Sequence, residues 1–292
     1  MTRFIEFKKQ RELGEILSDT FAFLRTQFKP FVSTYFKIVG PYLVVMLISM
    51  VFYLSAFSSF LDFNTQSSNQ VFSGITMFFG ILVFFIALIM VYATSQSTVL
   101  HYIKSYSIHA GIIDFNEIKK EVYSSLWSFI GLGILVVLSV FIGLMFCILP
   151  GIYLAVPLSL SFSIMVFAQK SVGDSYSYGF TLVKDEWGIT FATLFVVGII
   201  VTIASYAYSL PEVLYLYAKM GIFSGEMDAT TMTNSFVDPI YMILNMIGTV
   251  AQVLLNLITI IAGAFIYFNL NEKKNFTGTF ERIQSIGKTP EN

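Results

Sequence analysis

The chain has 292 residues, of which 56% are hydrophobic and 12% charged, with a mean hydropathy of +0.75. Soluble domains carry about 25% charged residues and less than about half apolar ones, so composition excludes a soluble globular fold. A formal net charge of −1 leaves no field that would gather nucleic acid or acidic substrates.

The first residues, MTRFIEFKKQRELGEILSD, alternate charged and apolar side chains without a continuous apolar stretch or a small-residue cleavage site, so no cleavable signal peptide is expected. Residues 11–29 follow, with Leu13, Leu17, Phe21, Leu24 and Phe28 on one helical face and Glu12, Glu15, Asp19, Arg25 and Lys29 largely on the others. That pattern predicts an amphipathic helix lying in the membrane interface, too charged to span. About 20 apolar residues cross a hydrocarbon core of about 30 Å, and uncharged stretches of that length predict a first span over 40–60 and a second over 72–100.

Asp114 and Glu117 have the spacing of a capping box and open a second surface helix, 114–127, in which Ile118, Val122, Leu126 and Phe129 align. Residues 128–149 and 151–169 read as spans three and four, antiparallel neighbours joined by a tight turn at Pro150 and Gly151, with Pro157 expected to kink the second. Cys147, the single cysteine, sits in an apolar run and reads as a small buried apolar residue. Ser171 and Asp174 repeat the capping spacing ahead of a third surface helix, 171–187, whose stripe is Val172, Tyr176, Phe180, Val183 and Trp187. Span five is expected over 189–209, ended near Pro211, with a long external loop to Phe236. Asp238 and Pro239 then combine an N-cap with a first-turn proline and open span six, 239–270, followed by a polar tail, 271–292.

In this layout sixteen of the seventeen Lys and Arg residues fall on one side, and only Lys219 on the other. The positive-inside rule makes that side cytoplasmic, together with both termini and all three surface helices. The fold class is therefore an all-α polytopic membrane protein: six transmembrane helices in a single membrane domain, 1–270, with three cytoplasmic amphipathic interfacial helices. Surface helix, span out and span back occur three times, and residues 21–28 match 180–187 in residue class at most positions. Two readings stay open, a threefold helix-hairpin repeat and the shared appearance of amphipathic helices entering a bilayer.

The segments LGEILSDTFAFLRTQFKPF, LPGIYLAVPLSLSF, SVGDSYSYGFTLVKDEWG, FIYFNLNEKKN and ERIQSIG resemble the membrane domain attached to some bacterial glycerophosphoryl diester phosphodiesterases, a domain shared by free-standing integral-membrane relatives. The resemblance covers nearly the whole chain and implies a six-span protein of the bacterial inner membrane. Its motifs are structural. The enzymes of that family hold their activity in a separate soluble barrel, so the resemblance implies no activity for this chain.

Phosphodiester hydrolysis needs acid and base histidines with a carboxylate cluster around a metal. The two histidines, His101 and His109, fall at the cytoplasmic boundary and read as interfacial, and no phosphate-binding loop, zinc spacing or nucleophile elbow occurs. No catalytic residue, cofactor or metal is expected. No span has a charged residue in its central part, which argues against an ion-driven pump. Asn245, Thr249, Gln252, Asn256 and Thr259 recur at spacings of four, three, four and three and form a polar seam on one face of span six. They serve either as hydrogen-bonding glue between spans or as the lining of a wet cavity. The expected function is a non-enzymatic scaffold or partner-binding subunit whose partners are the lipid bilayer and other membrane proteins. The alternative is a transporter or facilitator for a neutral or lipidic solute.

Overall fold

The computed structural model describes residues 5–61, 67–222, 225, 231 and 234–286. Every regular element among them is helical: α1 (Leu13–Leu61), α2 (Ser67–Ile108), α3 (Phe115–Phe146), α4 (Ile148–Ser159), α5 (Ser161–Phe167), α6 (Val172–Val183), α7 (Trp187–Lys219), α8 (Pro239–Asn275) and α9 (Thr277–Ile286). Six stretches are long and apolar enough to cross a membrane: α1, α2, α3, α4 with α5, α7 and α8. Their outer faces carry large apolar side chains more than half exposed, among them Phe78, Phe79, Phe85, Val137, Phe141 and Ile203, as a lipid-facing surface requires. This is the architecture of a multi-pass membrane protein. Residues 1–4, residues 62–66, positions 223–224, 226–230 and 232–233 of the expected loop before Phe236, and the last six residues of the tail lie outside the described residues.

The described chain falls into two compact units. The first comprises Met1–Ile38, Ala93–Ile199 and Leu257–Asn292, and the second Val39–Tyr92 and Ile200–Asn256.

In the first unit α1 runs unbroken through Pro30, where a connection between surface helix and span is expected. A proline inside a helix costs about 3 kcal/mol. Phe23, Phe31, Tyr35 and Ile38, each at most 1% exposed, line one face on both sides of it. Burying each such side chain contributes about 1.5–3 kcal/mol, so tertiary packing carries the helix across the proline. Phe31 meets Tyr102 edge-on at 5.0 Å, and the Tyr35 hydroxyl is 2.7 Å from that of Ser95. The stripe Leu13, Leu17, Phe21, Leu24 and Phe28 is half-buried or exposed, since Ile16, Thr20 and Phe23 form the face turned to protein.

α3 likewise continues from its Asp114 cap, whose carboxylate accepts from the N–H groups of Asn116 and Glu117, to Phe146 in one helix. Its aligned residues Ile118, Val122, Leu126 and Phe129 are all buried in protein, so this stripe is core rather than membrane-facing. The expected tight turn at Pro150 and Gly151 is displaced. The chain reverses at Cys147, which is extended (φ −173, ψ 155), and Pro150 occupies the first turn of α4, where its missing N–H would be unpaired anyway. Cys147 is exposed rather than buried, because it is the tip of the reversal. Gly151 lets the hairpin close: a Cβ built on Gly143 would stand 3.0 Å from the Gly151 Cα.

Pro157 lies inside α4 and the helix breaks three residues later at Leu160. Its missing N–H leaves the carbonyl of Tyr153 without a helical partner, and the indole N–H of Trp187 donates to that carbonyl at 3.4 Å while the two rings stack at 5.7 Å. α6 packs on the same proline through Gly179, where a Cβ would lie 2.7 Å from the Pro157 carbonyl oxygen. α6 is held at its start by Ser171, which accepts from the Asp174 N–H and donates to its carboxylate.

The N-terminal strap is fastened to α8. Phe7 stacks on Phe265 at 4.5 Å and meets Phe23 edge-on at 5.4 Å. Arg11, 5% exposed, donates from its backbone to Asn269 and from its guanidinium to Asp19 and to the carbonyls of Glu6, Phe7 and Lys9. A buried charge persists only when its donors are satisfied in this way. Glu272, 1% exposed, accepts from the N–H groups of Gly278 at 2.7 Å and Thr279 at 2.9 Å, and so caps α9 inside what the sequence presents as a polar tail.

The second unit is built on Met50, Leu54 and Tyr241, with Tyr53, Phe84, Leu216 and Met246 packed around them.

Candidate functional site

Pro211 does not end span five. α7 continues through it to Lys219 and carries Glu212, which the sequence places in a loop, onto the polar seam of α8. A proline near the end of a long helix removes one hydrogen bond, and Tyr215 and Leu216 beyond it reach the core around Tyr241 and hold the last turns. Ser205, Ser209, Glu212, Tyr215 and Lys219 fall at helical spacing, and reading that stripe through the proline is the signal by which the glutamate could have been found.

The carboxylate of Glu212 accepts from the side-chain amide of Asn245. One turn further along α8, a Cβ on Gly248 would stand 3.2 Å from the other carboxylate oxygen, so glycine there leaves room for the charge. Thr249 points its hydroxyl at the sulfur of Met50, 3.7 Å away, a weak acceptor. Two of the five seam residues are thus brought against side chains of other helices of the unit. Asn256 is half-buried at the end of the second unit, Thr259 belongs to the first, and Gln252 is exposed in the middle of α8. At 1.5 Å per residue Gln252 lies about 20 Å along α8 from Pro239. Glu212 stands about two turns before Lys219, the last residue of α7.

Asp238 closes the unit. Its carboxylate caps α8 by accepting from the N–H groups of Ile240 and Tyr241, accepts from the Tyr215 hydroxyl at 2.8 Å, and pairs with Lys219 at 3.0 Å. The Tyr215 hydrogen bond first, then the lysine, push its pKa down from the usual carboxylate value to about 2.

The two histidines have different settings. His101 is buried, with Nδ1 2.8 Å from the Ser97 carbonyl oxygen and Nε2 3.9 Å from Glu121, and Glu121 is held by Lys104 at 2.5 Å. His109 is exposed and faces Glu117 at 3.8 Å. Sequence spacing gave no sign of the first cluster, because α2 and α3 join only on folding. No group of three or more metal-ligating side chains occurs among the described residues.

Comparison with models of protein families, with curated proteins and with solved structures returned no match.

Proposed function

We propose that the chain is a non-enzymatic integral protein of the bacterial inner membrane, a scaffold or partner-binding subunit that recognises other membrane proteins through its spans. The observation that carries this reading is the exposed amide of Gln252 at mid-span. A carboxamide left against lipid costs several kcal/mol, so a polar surface must cover it, and a partner helix supplying one hydrogen bond gains about 0.6–2 kcal/mol. The engagement of Asn245 and Thr249 by neighbouring side chains supports the same use of the seam as glue. Phe21 and Phe28 remain exposed on the opposite side of α1 from its buried face, which supports residues 11–29 as a helix between protein and headgroups at the cytoplasmic surface. The concentration of Lys and Arg supports cytoplasmic termini, and a reporter active only in the cytoplasm, fused to Asn292, tests them.

A facilitator for a neutral or lipidic solute is the second reading. Glu212 favours it, since a carboxylate facing a polar seam would hydrate a passage between spans. The two readings separate on a Cys147→Ala background with single cysteines at 245, 252 and 256. Labelling of all three by a water-soluble thiol reagent puts the facilitator first, and protection of all three removes it. Partner binding predicts in addition that Gln252→Leu lowers the mass of the native assembly released from mild detergent. An unchanged mass refutes it.

A further inference from the structure

The first unit holds a cavity of about 280 Å³ where the second half of α2, the start of α3 and the junction of α5 with α6 meet. It is at the small end of the range for ligand pockets, a size for a headgroup rather than an extended molecule. Its walls are unlike the rest of the unit. Ser124, Ser125 and Ser128 lie on α3 one turn apart with Glu121, Lys104 and His101 reach in from α2, and Lys170 and Ser171 close the far side. Besides the imidazole of His101, the walls carry two ammonium groups against one carboxylate.

The arrangement of donors is directional. The Ser97 carbonyl can only accept, so His101 keeps its proton on Nδ1 and turns Nε2 toward Glu121 and the cavity. Glu121 engages one donor of Lys104, which retains two more. Lys170 rests its ammonium over the Tyr178 ring at 4.7 Å, a contact that holds the charge in place without neutralising it. Asp174, the nearest acid on α6, is occupied by the Ser171 hydroxyl. Two lysines with several hydroxyls around a small volume match an oxyanion with several acceptor oxygens, and a phosphate group has that chemistry. Depth adds a source. Trp127, 79% exposed, sits on α3 between Ser124 and Ser128, and exposed tryptophans of membrane proteins mark the headgroup level.

We propose that this cavity binds a phosphate group at headgroup level, with Lys104 and Lys170 as the charged contacts and Ser128 as a hydroxyl donor, the Ser124 hydroxyl being given to the Glu121 carbonyl at 3.0 Å. The site is independent of the seam in the second unit, and its test does not depend on the scaffold reading. The full chain is placed in nanodiscs of phosphatidylcholine alone or with phosphatidylglycerol, at fixed ionic strength, and apparent melting temperature and retained lipid by native mass spectrometry are read. Inorganic phosphate is titrated into the phosphatidylcholine discs as a second arm. The expected result is retention of phosphatidylglycerol by the wild-type protein, weakened about tenfold by Lys170→Gln and restored by Lys170→Arg. Lys119→Gln, on an exposed position of α3, should leave it unchanged. Ser124→Leu fills the cavity without altering charge and should abolish retention even where Lys170→Gln lowers folded yield. Stabilisation by the lipid alone assigns the phosphate to a headgroup, and stabilisation by inorganic phosphate as well assigns a site for free phosphate esters. Equal losses in Lys119→Gln and Lys170→Gln, or full retention in Ser124→Leu, would overturn the proposal.

Discussion

Replacing Gly179 by alanine sets a Cβ 2.7 Å from the carbonyl oxygen of Pro157 and 3.3 Å from its carbonyl carbon. Both are backbone atoms of a helix already interrupted by proline, so relief requires α6 to move away from α4 rather than a side chain to turn. Overpacking of this kind costs about 1–3 kcal/mol, against a gain of up to about 1 kcal/mol from alanine's helix propensity, which leaves about 1–2 kcal/mol of destabilisation. Gly173 lies in the first turn of the same helix with nothing within 4 Å of its built Cβ, so there alanine keeps the propensity gain without a clash. The two substitutions should therefore move stability in opposite directions. The assay is the apparent melting temperature of detergent-purified protein followed by fluorescence-detected size exclusion at one heating rate, since membrane proteins unfold irreversibly. A drop of a few degrees is expected for Gly179→Ala and no drop for Gly173→Ala. If Gly179→Ala melts with the wild type or above it, the close approach of α6 to Pro157 is wrong.

Glu272→Ala leaves the N–H groups of Gly278 and Thr279 without their acceptor, so α9 should loosen and limited trypsin digestion should cleave at Arg282 earlier. Unchanged cleavage kinetics would count against the cap. Glu212→Ala and Asn245→Ala should show a coupling of about 0.6–2 kcal/mol in a double-mutant cycle, and strict additivity would dissolve the pair. Asp238 has a folded pKa lowered to about 2, so its contribution is present above the unfolded value of about 3.9 and is lost as pH falls toward 2. The melting temperatures of wild type and Asp238→Asn should accordingly converge across that window, whereas parallel curves would remove the carboxylate as the cause.

Local rules placed much of this chain in advance. Run length and missing charge were enough for six apolar stretches, because hydrocarbon leaves the backbone no other partner than its own helix. Asp114, Ser171 and Asp238 were legible as caps, since an N-cap bonds within three residues of itself. What failed in the sequence were the breaks. Pro30 and Pro211 carry the expected penalty, yet the residues beyond them, Phe31, Tyr35 and Ile38 in one case and Tyr215 and Leu216 in the other, are packed against distant partners, and that burial outweighs a local signal. The helix-period stripe of α3 was visible as apolar but not as buried, because periodicity reports which residues share a face and not what that face meets. The exposed position of Cys147, the cap that Glu272 provides for α9, the cluster of His101 with Glu121 and the meeting of Glu212 with Asn245 were decided by tertiary structure alone. Each depends on a chain reversal or on two helices brought into register, and no spacing along one helix encodes either.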